Sequence, residues 1–162
     1  MNLSYRLGIV AIVLDEEDRV LLGRAAAQDP SWHRDYWEFP QGGLQEGESE
    51  EAAVLRELQE EIGTDRVEIL ARSGRLYHYD WSKEHRGKHG QEQRYFLLRL
   101  TELTNLTPEP EEFSELRWVS WDQLRRGLRT FKAKREAYLA ALTEFEEEPG
   151  RLRAVYRKRL SQ

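Results

Sequence analysis

Residues 42–64, GGLQEGESEEAAVLRELQEEIGT, have the composition of a glycine-containing loop that leads into a single capped helix. Ser49 is a favourable N-cap residue, and Glu50 and Glu51 place negative charge in the first turn, where the helix dipole favours it. Gly63 stands where a left-handed C-cap residue is expected. At about 100° per residue, the apolar side chains fall on one side of this helix; they are Val54, Leu55, Leu58 and Ile62. The sequence therefore predicts a helix with one buried face.

Three glutamates, Glu57, Glu60 and Glu61, lie on another side of the predicted helix at the spacing i, i+3, i+4. Like charges at this spacing repel, which costs about 0.2–0.5 kcal/mol per pair. The cluster becomes favourable when a hard divalent cation binds among its oxygens, and Mg²⁺ prefers such ligands. The helix alone leaves two interpretations open, a solvated acidic face or a metal site.

Residues at fixed spacings around the helix resemble the signature of the Nudix hydrolases, G-x5-E-x7-R-E-U-x-E-E-x-G-U, where U is a bulky aliphatic residue. The pattern runs from Gly42 through Glu48 and Arg56 to Gly63, and it departs at the last position, where Thr64 stands. We expect this departure to affect packing after the helix and not the chemistry. The resemblance implies the Nudix fold, of the α/β (α+β) class, with a mixed β-sheet between helices in an α/β/α arrangement.

The same resemblance implies a role for each residue of the motif. Glu57, Glu60 and Glu61 match the metal-binding carboxylates, and Glu57 and Glu60 are also candidates for the base that activates water. The backbone around Gln41 approaches the metal, which glycines permit, so Gln41 joins the expected metal contacts. The supporting residues are Gly42, Gly43, Glu48 and Arg56. The implied cofactor is Mg²⁺, with Mn²⁺ as an alternative.

Four further segments resemble one branch of the family, which contains asymmetric dinucleoside tetraphosphate hydrolases and bacterial RNA pyrophosphohydrolases. Residues 37–43 match W-x-F-P-Q-G-G, and residues 90–98 resemble the G-Q-x-Q-x-[WY]-F-L-L strand. Residues 112–119 resemble E-F-x-x-[WY]-R-W-V, and Phe131 with Lys132 resembles the F-K that opens the last helix. The resemblance thus covers about residues 5 to 142. The loop at residues 25–35 is longer than in the family, and the tail is additional.

This branch also supplies candidates for further site residues. Glu112 matches a glutamate that adds a metal contact or helps to deprotonate water. Tyr79 matches a tyrosine that stacks on a base, although a half-buried strand tyrosine fits equally well. Phe131 is either a core residue or the second wall of a base sandwich. The predicted phosphate contacts are Arg6, Arg24, Arg94 and Lys132; for Arg6 and Arg24 ordinary surface charge is the alternative.

Composition is that of a small globular enzyme. A chain of 162 residues suits one domain with a real core. The net charge of −5 gives no argument for a nucleic-acid partner, and the lack of cysteine excludes disulfides. The longest early apolar run, residues 7–14, is only strand length, so we expect no membrane segment and a cytoplasmic location. Nothing in the sequence indicates the oligomeric state.

Two basic segments invite separate interpretations. Residues 82–90, SKEHRGKHG, are predicted to form a loop that offers Lys83, Arg86 and Lys88 to phosphates, or that is merely solvated. The two histidines of this segment lack a third ligand for zinc. Residues 149–162 are predicted to form a basic helical tail after a Nudix domain of residues 1–148. The tail either packs on the domain or contacts RNA or a second subunit.

We therefore predict a metal-assisted hydrolysis of a polyphosphate attached to a nucleoside. The favoured substrate is a dinucleoside polyphosphate such as diadenosine tetraphosphate, and the alternative is the 5′-triphosphate end of RNA, cut to release pyrophosphate. Both present a base and a polyphosphate, so the residues barely separate them. A nucleotide-binding regulator without hydrolysis is a hypothesis of another class. The complete carboxylate set argues against it, because a pure binder needs no such cluster.

Overall fold

A mixed eight-stranded sheet forms the centre of the computed structural model, which describes residues 5–26, 35–102 and 105–147. The strands are β1 (Tyr5–Leu14), β2 (Val20–Ala25), β3 (Trp37–Glu38), β4 (Gln41–Gly43), β5 (Val67–Arg72), β6 (Tyr77–His85), β7 (Lys88–Leu100) and β8 (Phe113–Val119). The helices of these residues are α1 (Glu50–Ile62), α2 (Trp121–Gly127) and α3 (Lys132–Glu147). The predicted basic tail and most of the predicted long loop lie outside the described residues.

Strands β1 and β7 run parallel to each other through the middle of the sheet, which continues in the order β3-β2-β1-β7-β5. β4 pairs with β1, β6 with β7 and β8 with β2. β1 is apolar almost throughout because the sheet is covered on both faces. Its residues alternate between two cores: Val10 packs in the core that contains Tyr138 of α3, and Ile9 packs in the core that contains Leu58 of α1. The predicted α/β/α arrangement is confirmed.

Helix α1 begins and ends where the sequence predicts. The Ser49 side chain accepts a hydrogen bond from the Ala52 N–H at 3.1 Å, and Gly63 adopts a left-handed C-cap with φ 80°. The predicted apolar face is buried against the sheet. Thr64, the one departure from the motif, is buried after the helix, and its hydroxyl accepts a hydrogen bond from the Arg66 N–H at 3.1 Å. Its structural role is therefore local, in the chain that leaves α1.

The prediction of a loop at residues 82–90 is wrong. β6 continues to His85 and β7 begins at Lys88, so only Arg86 and Gly87 form the turn of a β-hairpin. Both turn residues have positive φ, 51° and 76°, as two-residue hairpin turns favour because this twist matches the strands. The polar composition of the segment concealed two strand ends.

Within the described residues, no helix is long and apolar enough to cross a membrane.

Candidate active site

Arg56 connects the loop before α1 to the carboxylates on that helix. Its Nε and Nη2 donate to the two carboxylate oxygens of Glu48 at 2.7 and 2.8 Å, and Nη2 also donates to the Gly43 carbonyl at 2.9 Å. Its Nη1 donates to Glu57 Oε1 at 2.8 Å and to Glu60 Oε2 at 3.2 Å. The hydrogen bonds from Arg56 lower the pKa of Glu48 to about 2. In such a bidentate pair the planar guanidinium fixes the orientation of the carboxylate and also attracts it electrostatically.

The loop at β4 lies directly against the acidic side of α1. The backbone N–H of Gln41 donates to Glu61 Oε2 at 2.9 Å. A methyl group at Gly42 would overlap the carboxylate of Glu57, so this close approach requires glycine. The structure thus brings Gln41, Gly42 and the α1 carboxylates together, as the motif predicts.

Three carboxyl groups around this loop have raised pKa values. Burial raises the pKa of Glu61 to about 9, and the charge of Glu57 adds to the increase while the hydrogen bond from Gln41 opposes it. Burial is also the main cause of the raised pKa values of Glu57 and Glu112. The charge of Glu112 acts on both Glu57 and Glu61, so the residue before β8 belongs to the same cluster. Carboxyl groups that are partly desolvated and repel one another are typical of functional sites.

The donor set suits a hard divalent cation, because a cation would offset both the burial and the mutual repulsion of these carboxylates. Across residues 5–26, 35–102 and 105–147, no three His, Cys, Asp or Glu side chains already stand together as a metal-binding group. Glu60 is 56 % exposed and its carboxylate is directed at Arg56. Glu57 and Glu61 therefore form the buried part of the predicted ligand set, and Glu60 lies at its rim.

A cavity of about 580 Å³ lies between β6 and the beginning of α3. Tyr79 and Phe131 both line it, and so do Lys132 and Lys83. Tyr79 is 8 % exposed, whereas Phe131 is 39 % exposed and precedes α3 outside the core. The volume lies within the range of small-molecule sites. The two residues predicted to stack on a base are thus walls of one cavity.

Two residues at this cavity were not indicated by any sequence pattern. Lys134 lines the cavity, and Glu38 pairs with Lys134. Lys134 Nζ donates to Glu38 Oε1 at 2.6 Å, and the two side chains are only 9 % and 17 % exposed. Burial alone would lower the pKa of Lys134, but the charge of Glu38 and hydrogen bonds to Glu38 and Tyr79 raise it. The residues are 96 positions apart, so no local pattern links them.

Glutamine side chains extend this ion pair toward the β4 loop. Gln41 Nε2 donates to Glu38 Oε2 at 3.5 Å, and Gln41 Oε1 accepts from Gln93 Nε2 at 3.2 Å. Gln93 Nε2 also donates to Gln91 Oε1 at 3.3 Å, and Gln91 Nε2 donates to the Tyr79 hydroxyl at 2.9 Å.

The contacts form a closed ring, because the Lys134 ammonium also lies 5.7 Å from the ring centroid of Tyr79. We call these six residues the polar ring; they are Glu38, Gln41, Tyr79, Gln91, Gln93 and Lys134. The ring lies between the cavity, which Tyr79, Gln91 and Lys134 line, and Glu61, which accepts from the Gln41 backbone.

Two of the predicted phosphate contacts lie at the site. Arg6 packs against Gly43. Its positive charge opposes the burial that raises the pKa of Glu112, so its guanidinium is near the carboxylates. Lys132 lines the cavity. Arg24 is half exposed and pairs with Asp35 at 2.9 Å.

Arg94 has partners within the protein, and its predicted phosphate contact stays a prediction. Its Nε donates to Glu50 at 2.9 Å and its Nη1 donates to the Ser73 carbonyl at 3.0 Å. Successive strand residues point to opposite faces, so Arg94 faces α1 while Gln93 faces the cavity side. Arg94 fastens the first turn of α1 to the sheet.

The fold and the carboxylate site formed by the β4 loop and α1 are those expected of a Nudix hydrolase. Comparisons with known proteins identify the same class of protein. Residues 4–143 match the NUDIX domain model, and the chain belongs to the Nudix hydrolase family. Nudix hydrolases generally need divalent metal ions.

Named relatives extend over nearly the whole chain. The RNA pyrophosphohydrolase of Rickettsia rickettsii (strain Sheila Smith) is 35% identical over 158 residues, covering 90% of this chain and 92% of that protein. The RNA pyrophosphohydrolase of a Nitratiruptor species is 39% identical over 153 residues, covering 89% of this chain and 95% of that protein.

Solved structures show the same fold at lower identity. The C. elegans Ap4A hydrolase binary complex has a TM-score of 0.63 at 19% identity, covering 87% of this chain and 95% of that chain. The E. coli dihydroneopterin triphosphate pyrophosphohydrolase has a TM-score of 0.65 at 18% identity, covering 86% and 97%.

Proposed function

We propose that this Nudix hydrolase removes pyrophosphate from the 5′-triphosphate end of RNA with the help of a divalent ion, Mg²⁺ or Mn²⁺. The observation that carries the proposal is the joining of two sites. A cavity walled by Tyr79 and Phe131 lies next to the buried carboxylates, with Glu38 and Gln41 between them. The cavity would thus receive a base, and the neighbouring carboxylate site would receive the polyphosphate attached to it.

The named relatives support RNA as the first candidate substrate. Sequence reasoning favoured a dinucleoside polyphosphate and kept triphosphorylated RNA as the alternative. The named relatives at 35% and 39% identity over about nine tenths of the chain are RNA pyrophosphohydrolases, which supports RNA. The Ap4A hydrolase structure, at 19% identity, supports only the fold.

In the proposed reaction, Glu57, Glu60 and Glu61 hold the metal ion, and Arg56 paired with Glu48 orients them. When bound, such an ion would neutralise charge at the phosphates and make the attacking water more acidic. A glutamate takes the proton of the water as the water oxygen bonds to the α-phosphorus. The bond from that phosphorus to the α–β bridging oxygen breaks, and this oxygen leaves with pyrophosphate. Glu57, Glu60 and Glu112 are the candidates.

The cavity residues bind the other part of the substrate. Tyr79 and Phe131 stack on a base, and such stacking contributes about 1–3 kcal/mol per base. Lys132 and Arg6, both near the path from the cavity to the carboxylates, contact phosphates. Arg24 stays a predicted contact that would have to exchange its partner Asp35 for phosphate.

The test is hydrolysis of triphosphorylated RNA by the purified chain with Mg²⁺. We expect monophosphorylated RNA and pyrophosphate in equal amounts, and no product in EDTA. Glu57→Gln should abolish turnover, whereas Glu51→Gln, an exposed glutamate of the same helix, should not. Absence of any RNA product under these conditions would refute the proposal.

Dinucleoside tetraphosphate is the second candidate substrate, because the same cavity accepts one base and the same carboxylates serve any phosphoric anhydride. Assaying diadenosine tetraphosphate beside RNA separates the two. Rapid cleavage of the dinucleotide with negligible cleavage of RNA would restore the original order. Binding of both without cleavage of either would instead favour a nucleotide-binding regulator.

A further inference from the structure

The polar ring contains a buried ion pair, which is in general a costly way to fill the interior of a protein. Taking two charges out of water costs several kcal/mol each, and replacing a buried pair by neutral side chains of similar size is often neutral or stabilising. Glu38 and Lys134 nevertheless lie together at 2.6 Å with little exposure. Lys134 lines the cavity, and its ammonium lies 5.7 Å from the ring centroid of Tyr79 and 6.0 Å from that of Phe131. The ammonium thus lies behind the two aromatic walls of the cavity, paired with Glu38.

The other end of the ring reaches the metal-binding carboxylates. Glu38 accepts from Gln41, and the Gln41 backbone donates to Glu61. A second path runs from the Tyr79 hydroxyl through Gln91 and Gln93 to the same glutamine. Every glutamine in the ring uses its side-chain amide within the ring. Tyr79 and Lys134 are therefore each connected to Gln41, through Gln91 and Gln93 and through Glu38.

We propose that the polar ring couples the cavity to the carboxylate site, so that a base bound at Tyr79 and Phe131 and a divalent ion held at Glu57 and Glu61 strengthen each other's binding. Glu38 acts as a positioning residue in this device, because it touches neither ligand. The inference rests on the proposed function, since it takes the cavity as the place of the base. Coupling of this kind is reciprocal and typically amounts to about a 5- to 150-fold change in affinity.

The experiment measures Mn²⁺ affinity by electron paramagnetic resonance, with and without saturating adenosine. Adenosine carries a base but no phosphate, so it does not bridge to the ion, and any effect must pass through the protein. We expect adenosine to tighten Mn²⁺ binding at least about fivefold in the wild type, the lower end of the usual range. Reciprocally, Mn²⁺ should tighten adenosine binding by the same factor.

The double variant Glu38→Gln/Lys134→Met tests the ring itself. It removes both charges together with little change in side-chain size, so neither buried charge is left unpaired. Lys134→Met by itself leaves the buried Glu38 carboxylate unpaired and is expected to lower stability. We expect the double variant to fold and to bind each ligand separately, with the coupling factor reduced to near one. Tyr79→Phe keeps the aromatic wall but removes the hydroxyl that accepts from Gln91, and it should reduce the factor partially. Arg135→Met, an exposed neighbour of Lys134, is the matched control and should retain full coupling.

Equal coupling in the wild type and the double variant would overturn the inference. So would a wild type that binds Mn²⁺ with the same affinity in the presence of adenosine, or that does not bind adenosine. Parallel RNA assays keep the two proposals apart. RNA hydrolysis without coupling would refute the role of the ring and leave the proposed function standing, whereas coupling without RNA hydrolysis would refute the proposed substrate alone.

Discussion

Glu48 and Arg56 are joined by two hydrogen bonds, of 2.7 and 2.8 Å, that span the turn between β4 and α1. Glu48 also accepts from the Gln45 N–H at 3.0 Å, so its carboxylate fixes the loop backbone as well as the arginine. Arg56 then uses its remaining donors on Gly43, Glu57 and Glu60. The orientation of the acidic side of α1 therefore depends on this one pair.

The Glu48–Arg56 pair should make stability depend on acid pH in a defined window. The pKa of Glu48 is lowered to about 2 in the fold from an ordinary value of 4.5. A lowered pKa contributes stability above the ordinary value, and that contribution is lost as pH falls from 4.5 through 2. The free energy of unfolding of Glu48→Gln should therefore lie below that of the wild type at about pH 6 and approach it near pH 2. A constant difference across this range would contradict the assignment; Glu46→Gln, exposed in the same loop, is the control.

Glu61 should have the opposite pH dependence in EDTA. Its pKa is about 9 in the fold against an ordinary 4.5, so the fold favours the protonated form. Stability is therefore expected to fall as pH rises from 4.5 to 9, and Glu61→Gln should lack that part of the decline. Because a bound cation favours the ionised carboxylate, Mg²⁺ should raise the melting temperature more at about pH 9 than at about pH 6. Melting curves at both pH values, with and without Mg²⁺, check this. A larger effect of Mg²⁺ at the lower pH would contradict it.

Glu60→Gln should reduce kcat by about 10²-fold or more, since loss of a metal-binding or proton-accepting carboxylate acts on the chemical step. The fold should persist, because Glu60 is exposed and its removal relieves repulsion along the helix. Turnover numbers and circular dichroism of Glu60→Gln and of Glu51→Gln provide the comparison. Near-normal turnover of Glu60→Gln would exclude a catalytic or metal-binding role for this residue.

Gly42→Ala should damage activity more than stability. The added methyl would overlap the Glu57 carboxylate and displace it from its hydrogen bond to Arg56. Gly127 is the matched control, because an added methyl there meets no atom, and Gly→Ala at such a site in a helix gains about 0.5–1 kcal/mol. Activity and chemical denaturation of both variants test the distinction. Wild-type turnover by Gly42→Ala would show that the close approach of the loop is dispensable.

Phe131→Ala should raise KM for the nucleotide substrate by about 5- to 150-fold while changing kcat less, because base stacking contributes about 1–3 kcal/mol. The variant should be stable, since the ring is 39 % exposed and lies outside the core. Tyr79→Ala should raise KM as well, but it should also lower stability because the ring is buried. Leu76→Ala, a similarly exposed apolar residue, is the control for steady-state kinetics. Normal KM values for both aromatic variants would show that the cavity does not bind the base of the substrate.

Those parts of the molecule whose causes act over a few residues could be predicted from the amino-acid sequence. The start and end of α1 follow from Ser49 and Gly63, whose side chain and backbone act within a few residues. Its buried face follows from helical periodicity, and the motif spacing located Glu48, Arg56 and the carboxylates in one short segment. The same local reasoning failed at residues 82–90, because charged side chains on an exposed hairpin have no alternation to reveal a strand.

Contacts between residues that are distant in the sequence became visible only in the folded chain. The parallel register of β1 with β7, which aligns Arg6 with Gln91 and Ile9 with Arg94, sets which strand residues share a face. It directs Gln91 and Gln93 into the polar ring and Arg94 toward α1, although all belong to one matched motif. The pairing of Glu38 with Lys134 depends in turn on α3 packing over that face. Such contacts arise from sheet register and helix packing, which short-range propensity and spacing do not encode.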